Sequence, residues 1–302
     1  MLFNTFEYLK PNNLSEVLQV LDECKDKNAH VSAGGTDLIP WLRAKVKQTD
    51  CLIDLNNADL DHVVIADDEA KIGAMVSFAT LSQHPQVAQE LPALAEAAKQ
   101  VGAVQTRTLA TLGGNLCSAV PSLDGAPPLL ALGAKFRLQA KGGERMVPAE
   151  QFFLGPRRTV LQPGEILTEI LVPLREDFKA KFLRMGRRKA LTLSIVNVAA
   201  GVTVEDGGRI GSARIALGAV APTPIRAYKA EQVLQGQRIN SRLLAEAAAV
   251  AATETSPISD LRASADYRRK ISAVLVRRAL ENAIEQTRQA GANIRAAAGG
   301  AR

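Results

Sequence analysis

Hydrophobic positions in the first 55 residues alternate between strand-like runs and stretches with helical spacing. Apolar residues recur at helical intervals over residues 16–21, and Ser15 just before them is a candidate N-cap. Strand-like runs over residues 30–33 and 51–55 flank a glycine turn and a second helical stretch. This is the order of a βαβ unit, which would place the glycine turn at a helix N-terminus.

A second α/β unit is predicted over residues 56–174. Asp67-Asp68-Glu69 separates two short strand-like runs, which predicts a hairpin. Further elements follow: helices near residues 81–84 and 92–100, a proline-initiated helical turn over residues 127–132, and strands over residues 135–139 and 163–173.

The pattern changes after residue 174. Asp206-Gly207-Gly208 predicts a hairpin turn between two long apolar runs. The predicted elements are strands over residues 178–184, 195–204 and 210–220 and helices over residues 226–235, 242–254 and 264–289. We therefore expect an α+β fold with two N-terminal α/β subdomains (1–55 and 56–174) and a C-terminal domain (175–302) of antiparallel strands and helices.

Composition and charge narrow the class of protein. The chain has 302 residues, of which 47% are hydrophobic and 23% charged, as in ordinary soluble domains. The net charge of +6 permits an anionic ligand, but without a dense basic run it does not indicate nucleic acid. We expect no membrane span, because no apolar run approaches the required length. Met1–Glu7 shows no signal-peptide pattern.

The cysteines and histidines do not predict a metal site. Cys24, Cys51 and Cys117 have no CxxC spacing and are odd in number, so we interpret them as packed thiols in a reducing compartment, the cytoplasm. The three histidines are scattered, and no catalytic constellation of serine or cysteine with histidine can be argued.

The first chemical motif is Ala33-Gly34-Gly35-Thr36-Asp37. A diphosphate needs several N–H donors and no Cβ in the way, and glycine provides both the close approach and the unusual dihedral angles. A helix N-terminus would add partial positive charge. By itself the motif is equally a tight turn capped by Thr36 or Asp37.

The second motif is Thr111-Leu112-Gly113-Gly114-Asn115-Leu116, followed by Asp124. We interpret the glycines as a second turn that holds the same pyrophosphate, and Asp124 as an acceptor for ribose or ribityl hydroxyls. Alternatively, Ser122 and Asp124 cap the helix that follows. Neither motif is a Walker A loop or a GxGxxG fingerprint, so a nicotinamide-type Rossmann site is not supported.

The two motifs, in this order and at this separation, resemble those of the FAD-binding medium subunits of molybdenum-containing hydroxylases, the group that includes xanthine dehydrogenase and aerobic carbon monoxide dehydrogenase. Ile166-Leu167 and Gly186-Arg187-Arg188 also match, and the resemblance covers nearly the whole chain. It implies a fold similar to that of vanillyl-alcohol oxidase, with noncovalent FAD between the N-terminal subdomains and the C-terminal domain.

The resemblance also implies roles for particular residues. Residues 33–38 would contact the pyrophosphate from one side and Thr111, Gly114 and Asn115 from the other. Gly102 would lie near the adenine, and residues near Thr192 and Leu193 would face the isoalloxazine. The residues expected to bind the cofactor are Ser32, Ala33, Gly34, Gly35, Thr36, Asp37, Leu38, Gly102, Thr111, Gly114, Asn115, Ser118, Asp124, Leu167 and Arg184. No catalytic acid, base or metal ligand is expected on this chain.

The function implied by the resemblance is electron transfer. FAD on this chain would take electrons from iron–sulfur clusters of a small partner subunit and pass them to an external acceptor. The molybdenum cofactor would lie on a large partner subunit, and the assembly would be a dimer of heterotrimers. Two alternatives stay open: a scaffold subunit with nonessential flavin, and a stand-alone flavin oxidoreductase.

Overall fold

The computed structural model describes residues 5–299, with side chains as far as residue 289. The first four residues of the segment that argued against a signal peptide lie outside this range. Within the described part, no helix is long and apolar enough to cross a membrane.

The first unit is a small parallel α/β layer. Its elements are β1 (Glu7–Leu9), α1 (Leu14–Glu23), β2 (Ala29–Ser32), α2 (Leu38–Arg43) and β3 (Cys51–Asp54), and the strands are ordered β1-β3-β2. The predicted β2-turn-α2-β3 arrangement is present. The cap of α1 was predicted wrongly: Asn13, not Ser15, accepts the N–H of Glu16, at 2.9 Å, because the helix begins at Leu14, two residues earlier than expected.

The second unit combines an antiparallel sheet with short helices. Its elements are β4 (Val63–Ile65), β5 (Glu69–Gly73), α3 (Phe78–Gln83), α4 (Pro85–Glu90), α5 (Pro92–Gln100), α6 (Val104–Leu109), α7 (Leu112–Ser118), α8 (Ala126–Leu132), β6 (Lys135–Ala140), β7 (Gly143–Pro148), β8 (Phe153–Gly155), β9 (Arg158–Thr159) and β10 (Ile166–Pro173). The main sheet has the order β4-β5-β10-β6-β7.

Helices α4, α6 and α7 escaped the sequence analysis because they have only six or seven residues. Fewer than two helical turns give too little periodicity to detect. His84 illustrates the difficulty, since it ends α3 and its ring also accepts the N–H of Val87 as the N-cap of α4.

The C-terminal unit is a four-stranded antiparallel sheet covered by helices. Its elements are β11 (Phe178–Gly186), β12 (Ser194–Glu205), β13 (Arg209–Gly218), β14 (Ile225–Arg226), α9 (Tyr228–Leu234), α10 (Ser241–Thr253) and α11 (Ala265–Gly299). The predicted hairpin is formed by Gly207 and Gly208, whose φ angles of 81° and 73° suit glycine.

Both faces of this sheet are buried. Val198 and Ile215 pack against the C-terminal helices. Phe182 and Ala199 point to the opposite face, where they join the core that contains the helices of the second unit. The C-terminal sheet is thus fixed to the second unit by a shared hydrophobic core, and the two together form one side of the cleft described next.

Candidate cofactor-binding cleft

A cleft of about 530 Å³ runs between the three units. Its volume is in the range of small-molecule sites. Its walls come from the β2–α2 turn, from helices α6 and α7 and the segment after them, from the start of β10, and from the loop between β11 and β12.

The turn Gly34–Leu38 presents unsatisfied donors to this cleft. All five residues line it, and none of their main-chain N–H groups donates to an acceptor within residues 5–299. Gly35 has a φ of +68°, which glycine adopts without strain. A Cβ on Gly34 would stand 1.7 Å from the carbonyl oxygen of Leu109, so this glycine lets the turn press against the end of α6. Unsatisfied N–H groups in such a turn suit an anion.

The second glycine segment is the first turn of helix α7, and its N–H groups are already engaged. Leu112 and Gly113 donate to the carbonyl oxygens of Val76 and Ala74, both at 2.9 Å. Gly114 donates to the hydroxyl of Thr111, the N-cap, at 3.0 Å. The two glycine segments, expected to hold the pyrophosphate jointly, therefore differ: the first offers free main-chain donors, whereas the second uses the N–H groups of Leu112, Gly113 and Gly114 to hold α7 in place.

Asn115 is one of the polar residues of α7 that line the cleft, together with Ser118. Its Oδ1 accepts the N–H of Gly125 at 3.2 Å, while its Nδ2 has no acceptor among the described residues. Gly114 lies beside it, and a Cβ there would come within 2.9 Å of the Thr111 hydroxyl and 3.5 Å of the Ala33 Cβ. A larger side chain at Gly114 would therefore disturb the α7 cap as well as fill the cleft.

Asp124 is the centre of a buried polar network. Its Oδ1 accepts from the Ser194 hydroxyl and from Asn197 Nδ2, both at 2.6 Å, and its Oδ2 accepts from Arg184 Nη1 at 2.6 Å. It does not cap α8, whose N-terminus has no side-chain cap. The expected contact of Asp124 with ligand hydroxyls is thus largely replaced by protein donors, which join the segment after α7 to strands β11 and β12.

Gly102 and the β11–β12 loop lie together in the wall of the cleft. The N–H of Leu191 donates to the carbonyl oxygen of Gly102 at 2.9 Å, and Thr192 and Leu193 line the same region. The two expectations for this region conflict: Gly102 cannot lie near the adenine while Thr192 and Leu193 face the isoalloxazine, because the structure places the three residues together.

The aromatic part of the cleft lining was not predicted from the sequence. Trp41, on α2, lines the cleft, as do His30 and Lys47. The guanidinium carbon of Arg157 lies 5.0 Å from the centroid of the indole ring, and Lys47 Nζ lies 5.3 Å from it. A signal was available: Trp41 is the chain's single tryptophan and follows the first glycine turn by one helical turn.

Three of the six non-glycine residues with positive φ in the described part of the chain lie in the wall of this cleft or directly beside it. Ala119, Arg157 and Leu191 have φ angles of 45°, 59° and 50° although none is glycine. Arg157 donates its N–H to the carbonyl oxygen of Ala119 at 2.8 Å, which links two of these strained residues directly. Strained residues of this kind persist where the surrounding structure holds them, and they are common at ligand sites.

Comparison with known proteins identifies the family. Residues 4–175 match the family model described as the FAD binding domain in molybdopterin dehydrogenase, and residues 181–283 match the C-terminal domain of the carbon monoxide dehydrogenase flavoprotein. The chain belongs to the FAD-binding medium subunits of molybdenum-containing dehydrogenases. The resemblance noted from the two glycine motifs is thereby confirmed, and so are the FAD cofactor and the fold class.

Relatives of this medium subunit match it over almost their whole length. The glyceraldehyde dehydrogenase medium chain of Sulfolobus acidocaldarius is 31% identical over 91% of this chain and 97% of its own. The carbon monoxide dehydrogenase medium chain of Afipia carboxidovorans is 31% identical over 94% and 98%. A solved structure of carbon monoxide dehydrogenase from Hydrogenophaga pseudoflava superposes with a TM-score of 0.90 at 33% identity, covering 95% of this chain and 99% of the other.

The residues of the medium subunit fit FAD. The free N–H groups of Gly34–Leu38 suit its pyrophosphate, and Asn115 Nδ2 adds a side-chain donor across the cleft. The lining also offers aliphatic side chains and Trp41, on which planar rings can pack. Of the residues expected to bind the cofactor, all line this cleft except Ser32 and Arg184. Ser32 lies in β2, and Arg184 reaches the cleft only through Asp124 and the Thr192 carbonyl oxygen.

The remaining candidate residues do not form a second site. Cys24 and Cys51 are buried with their sulfur atoms 3.8 Å apart, and burial raises the pKa of the Cys51 thiol to about 11. Burial raises the pKa of the Cys117 thiol in the cleft wall to about 12. No group of three or more histidine, cysteine, aspartate or glutamate side chains in the described part of the chain is placed to hold a metal ion.

Proposed function

We propose that this chain is the flavin-carrying electron-transfer subunit of a heteromeric molybdenum dehydrogenase. In this proposal FAD supplies the redox chemistry, taking electrons from iron–sulfur clusters of a small partner subunit for delivery to an external acceptor. The observation that carries the proposal is the row of unsatisfied N–H groups at Gly34–Leu38, which matches a pyrophosphate in a chain of this family.

The role of the chain itself is to bind and orient the cofactor. Asp124 and Glu165 in the cleft wall are held by Arg184 and Arg145 and so act structurally. The Arg145 guanidinium holds the pKa of Glu165 below its usual range, which keeps this carboxylate charged.

We propose two partner chains: a large subunit with the molybdenum cofactor and a small subunit with iron–sulfur clusters, assembled as a dimer of heterotrimers. Supporting this, relatives that match over almost their entire length are named as medium chains of dehydrogenases. The free thiols of Cys24 and Cys51 fit a reducing compartment such as the cytoplasm.

Purification of the native complex tests this function. We expect about one FAD per copy of this chain, released by denaturation without a covalent bond, together with molybdenum and iron on the co-purifying chains. Light scattering after size exclusion should give the mass of two heterotrimers. A folded, full-length preparation that contains no flavin, or a chain that purifies without metal-bearing partners, would contradict the proposal.

Flavin removal tests the order of electron flow. In a complex stripped of FAD, substrate should still reduce the iron–sulfur clusters, seen by electron paramagnetic resonance, while reduction of the external acceptor should fall sharply and recover when FAD is added back. Equal acceptor reduction with and without FAD would support the scaffold alternative instead.

A further inference from the structure

Cys24 and Cys51 face each other in the core of the first unit. Their Sγ atoms are 3.8 Å apart, which is contact distance, and the two residues are 3% and 0% exposed. Both belong to the hydrophobic core that α1 and β3 share. Cys117, the third cysteine of the chain, packs against the separate core of the second unit, so it does not compete for either thiol. The fold therefore pairs two of the three thiols with each other.

The distance between the two thiols is short enough for a disulfide bond. An S–S bond is about 2.05 Å long, so the sulfur atoms must approach each other by about 1.8 Å. Rotation by roughly 30° about each Cα–Cβ bond moves the two sulfur atoms by about that much in total. Cys24 also lies at the C-cap of α1, and the end of a helix adjusts more easily than its interior.

Cys24 is the thiol that a small oxidant reaches first. It ends α1, and residues 25–28 directly after it are all exposed. Cys51 begins the central strand β3, between Glu7 on β1 and Ala29 on β2. Burial raises the pKa of the Cys51 thiol to about 11, which keeps it protonated and slow to react. We therefore expect oxidation to begin at Cys24 and to take hours rather than seconds.

A bond between these residues would enclose the segment that forms one wall of the cleft. The residues between Cys24 and Cys51 include β2, the Gly34–Leu38 turn and α2. The bond would lie at the start of β3, whereas Leu55, which lines the cleft, follows the end of that strand, about 13 Å away at 3.3 Å per residue. A crosslink restricts the unfolded chain more than the folded one, so it would stabilise this segment without entering the cleft.

We propose that Cys24 and Cys51 form a reversible disulfide bond when the chain meets a peroxide, and that this bond stabilises the first unit against unfolding. The inference goes beyond the proposed function, because neither chemical step involves the cofactor.

The oxidation takes two steps. The Cys24 thiolate attacks one oxygen of hydrogen peroxide, the O–O bond breaks, and the released hydroxide takes up a proton to become water, which leaves a sulfenic acid on Cys24. The Cys51 thiolate then attacks that sulfur, the S–O bond breaks, and a second water leaves as the S–S bond forms. The two thiols lose two electrons and two protons in total, and the peroxide is reduced to two waters.

Peptide mapping of the full chain tests the bond directly. After hours in hydrogen peroxide, the remaining thiols are blocked with N-ethylmaleimide in denaturant and the chain is digested without reductant. We expect a linked pair of peptides that contain Cys24 and Cys51, together with a blocked Cys117, and dithiothreitol should return both thiols. Recovery of Cys24 and Cys51 as blocked thiols or as separate sulfinic acids over a range of peroxide concentrations would overturn the proposal, and so would a disulfide to Cys117.

Urea unfolding of the same samples tests the stabilising role. The oxidised chain should unfold at a midpoint about 1 M higher in urea than the reduced chain, and dithiothreitol should remove the difference. Cys117→Ala is the matched control and should keep the full difference, whereas Cys51→Ala should lose it. Each variant is compared with itself before and after oxidation, so the effect of the substitution on stability cancels. An equal or lower midpoint in the oxidised wild type would show that the bond strains the fold and would refute the stabilising role.

Discussion

Arg184 donates a 2.6 Å hydrogen bond from Nη1 to Oδ2 of Asp124, and their side chains are only 4% and 8% exposed. The two residues lie 60 positions apart in the chain. Arg184 also donates from Nη2 to the carbonyl oxygen of Thr192 at 3.2 Å. One guanidinium thus connects the segment after α7 with the loop between β11 and β12.

Removing one partner of the Arg184–Asp124 pair should lower the free energy of unfolding. Arg184→Met leaves the Asp124 carboxylate buried without its cation, and we expect a loss of about 3 kcal/mol in the free energy of unfolding. Arg184→Lys keeps the charge but replaces the planar fork, so it should lose less. Urea unfolding followed by circular dichroism measures both, and Asp124→Asn in the Arg184→Met background should recover part of the loss. A loss below about 1 kcal/mol for Arg184→Met would mean that Ser194 and Asn197 suffice to hold Asp124.

A substitution at Gly34 tests whether the turn with free N–H groups holds the cofactor. A methyl group at Gly34 would collide with the Leu109 carbonyl oxygen at 1.7 Å, a backbone atom that cannot rotate away. Gly34→Ala should therefore displace the turn and cut the FAD content of the purified complex to a small fraction of the wild-type value, measured by released-flavin absorbance.

Gly142→Ala is the matched control, because a Cβ there meets no atom within 4 Å. It should keep full FAD content. Full flavin retention by a folded Gly34→Ala variant would show that the turn does not hold the pyrophosphate. Gly114→Val should also abolish flavin retention, although its effect includes damage to the Thr111 cap of α7.

The parts of the fold that could be predicted from sequence are those set by local interactions. The glycine turn between β2 and α2 and the Gly207-Gly208 hairpin follow from backbone freedom at glycine, and the long strand β12 follows from its continuous apolar run. These features depend on residues within a few positions of each other.

The parts that could not be predicted depend on distant partners. The N–H groups of Leu112 and Gly113 are engaged by the carbonyl oxygens of Val76 and Ala74, far back in the chain, so no local pattern shows that these main-chain donors are not free. The same holds for Asp124, whose network was invisible because its partners are 60 to 73 residues away. The glycine motifs predicted residues that line the cleft, and tertiary contacts decide which of their polar groups are free.

The three cysteines should react slowly with thiol reagents in the folded protein. The thiolate is the reactive form, and pKa values of about 11 for Cys51 and about 12 for Cys117 leave roughly one thiol in a thousand or fewer ionised at pH 8. Cys24 is buried against Cys51. We expect a thiol reagent such as DTNB to react slowly with the native chain and rapidly with three thiols in denaturant. Rapid labelling of one thiol, suppressed by FAD, would instead reveal a reactive Cys117 in the cleft.

Asp260 should make the stability of the folded protein depend on pH under acidic conditions. Burial alone would raise its pKa, but hydrogen bonds from the N–H groups of Arg262 and Ala263 and from Arg268 outweigh this and hold the pKa at about 2. Arg268 in turn donates to the carbonyl oxygens of Ile195 and Ala219, so the interaction ties the start of α11 to the sheet. Because the folded pKa is below the unfolded value of about 3.8, the stabilisation is complete above about pH 4 and is lost as the pH falls towards 2.

Asp260→Asn removes this titration. The variant should be less stable than wild type at pH 7, and its stability should decline less steeply between about pH 4 and pH 2, measured as the urea midpoint at each pH. Asp67→Asn, in the exposed hairpin turn between β4 and β5, is the control and should keep the wild-type slope. Parallel curves for wild type and Asp260→Asn over this range would show that the Asp260–Arg268 interaction contributes no stability that depends on ionisation of Asp260.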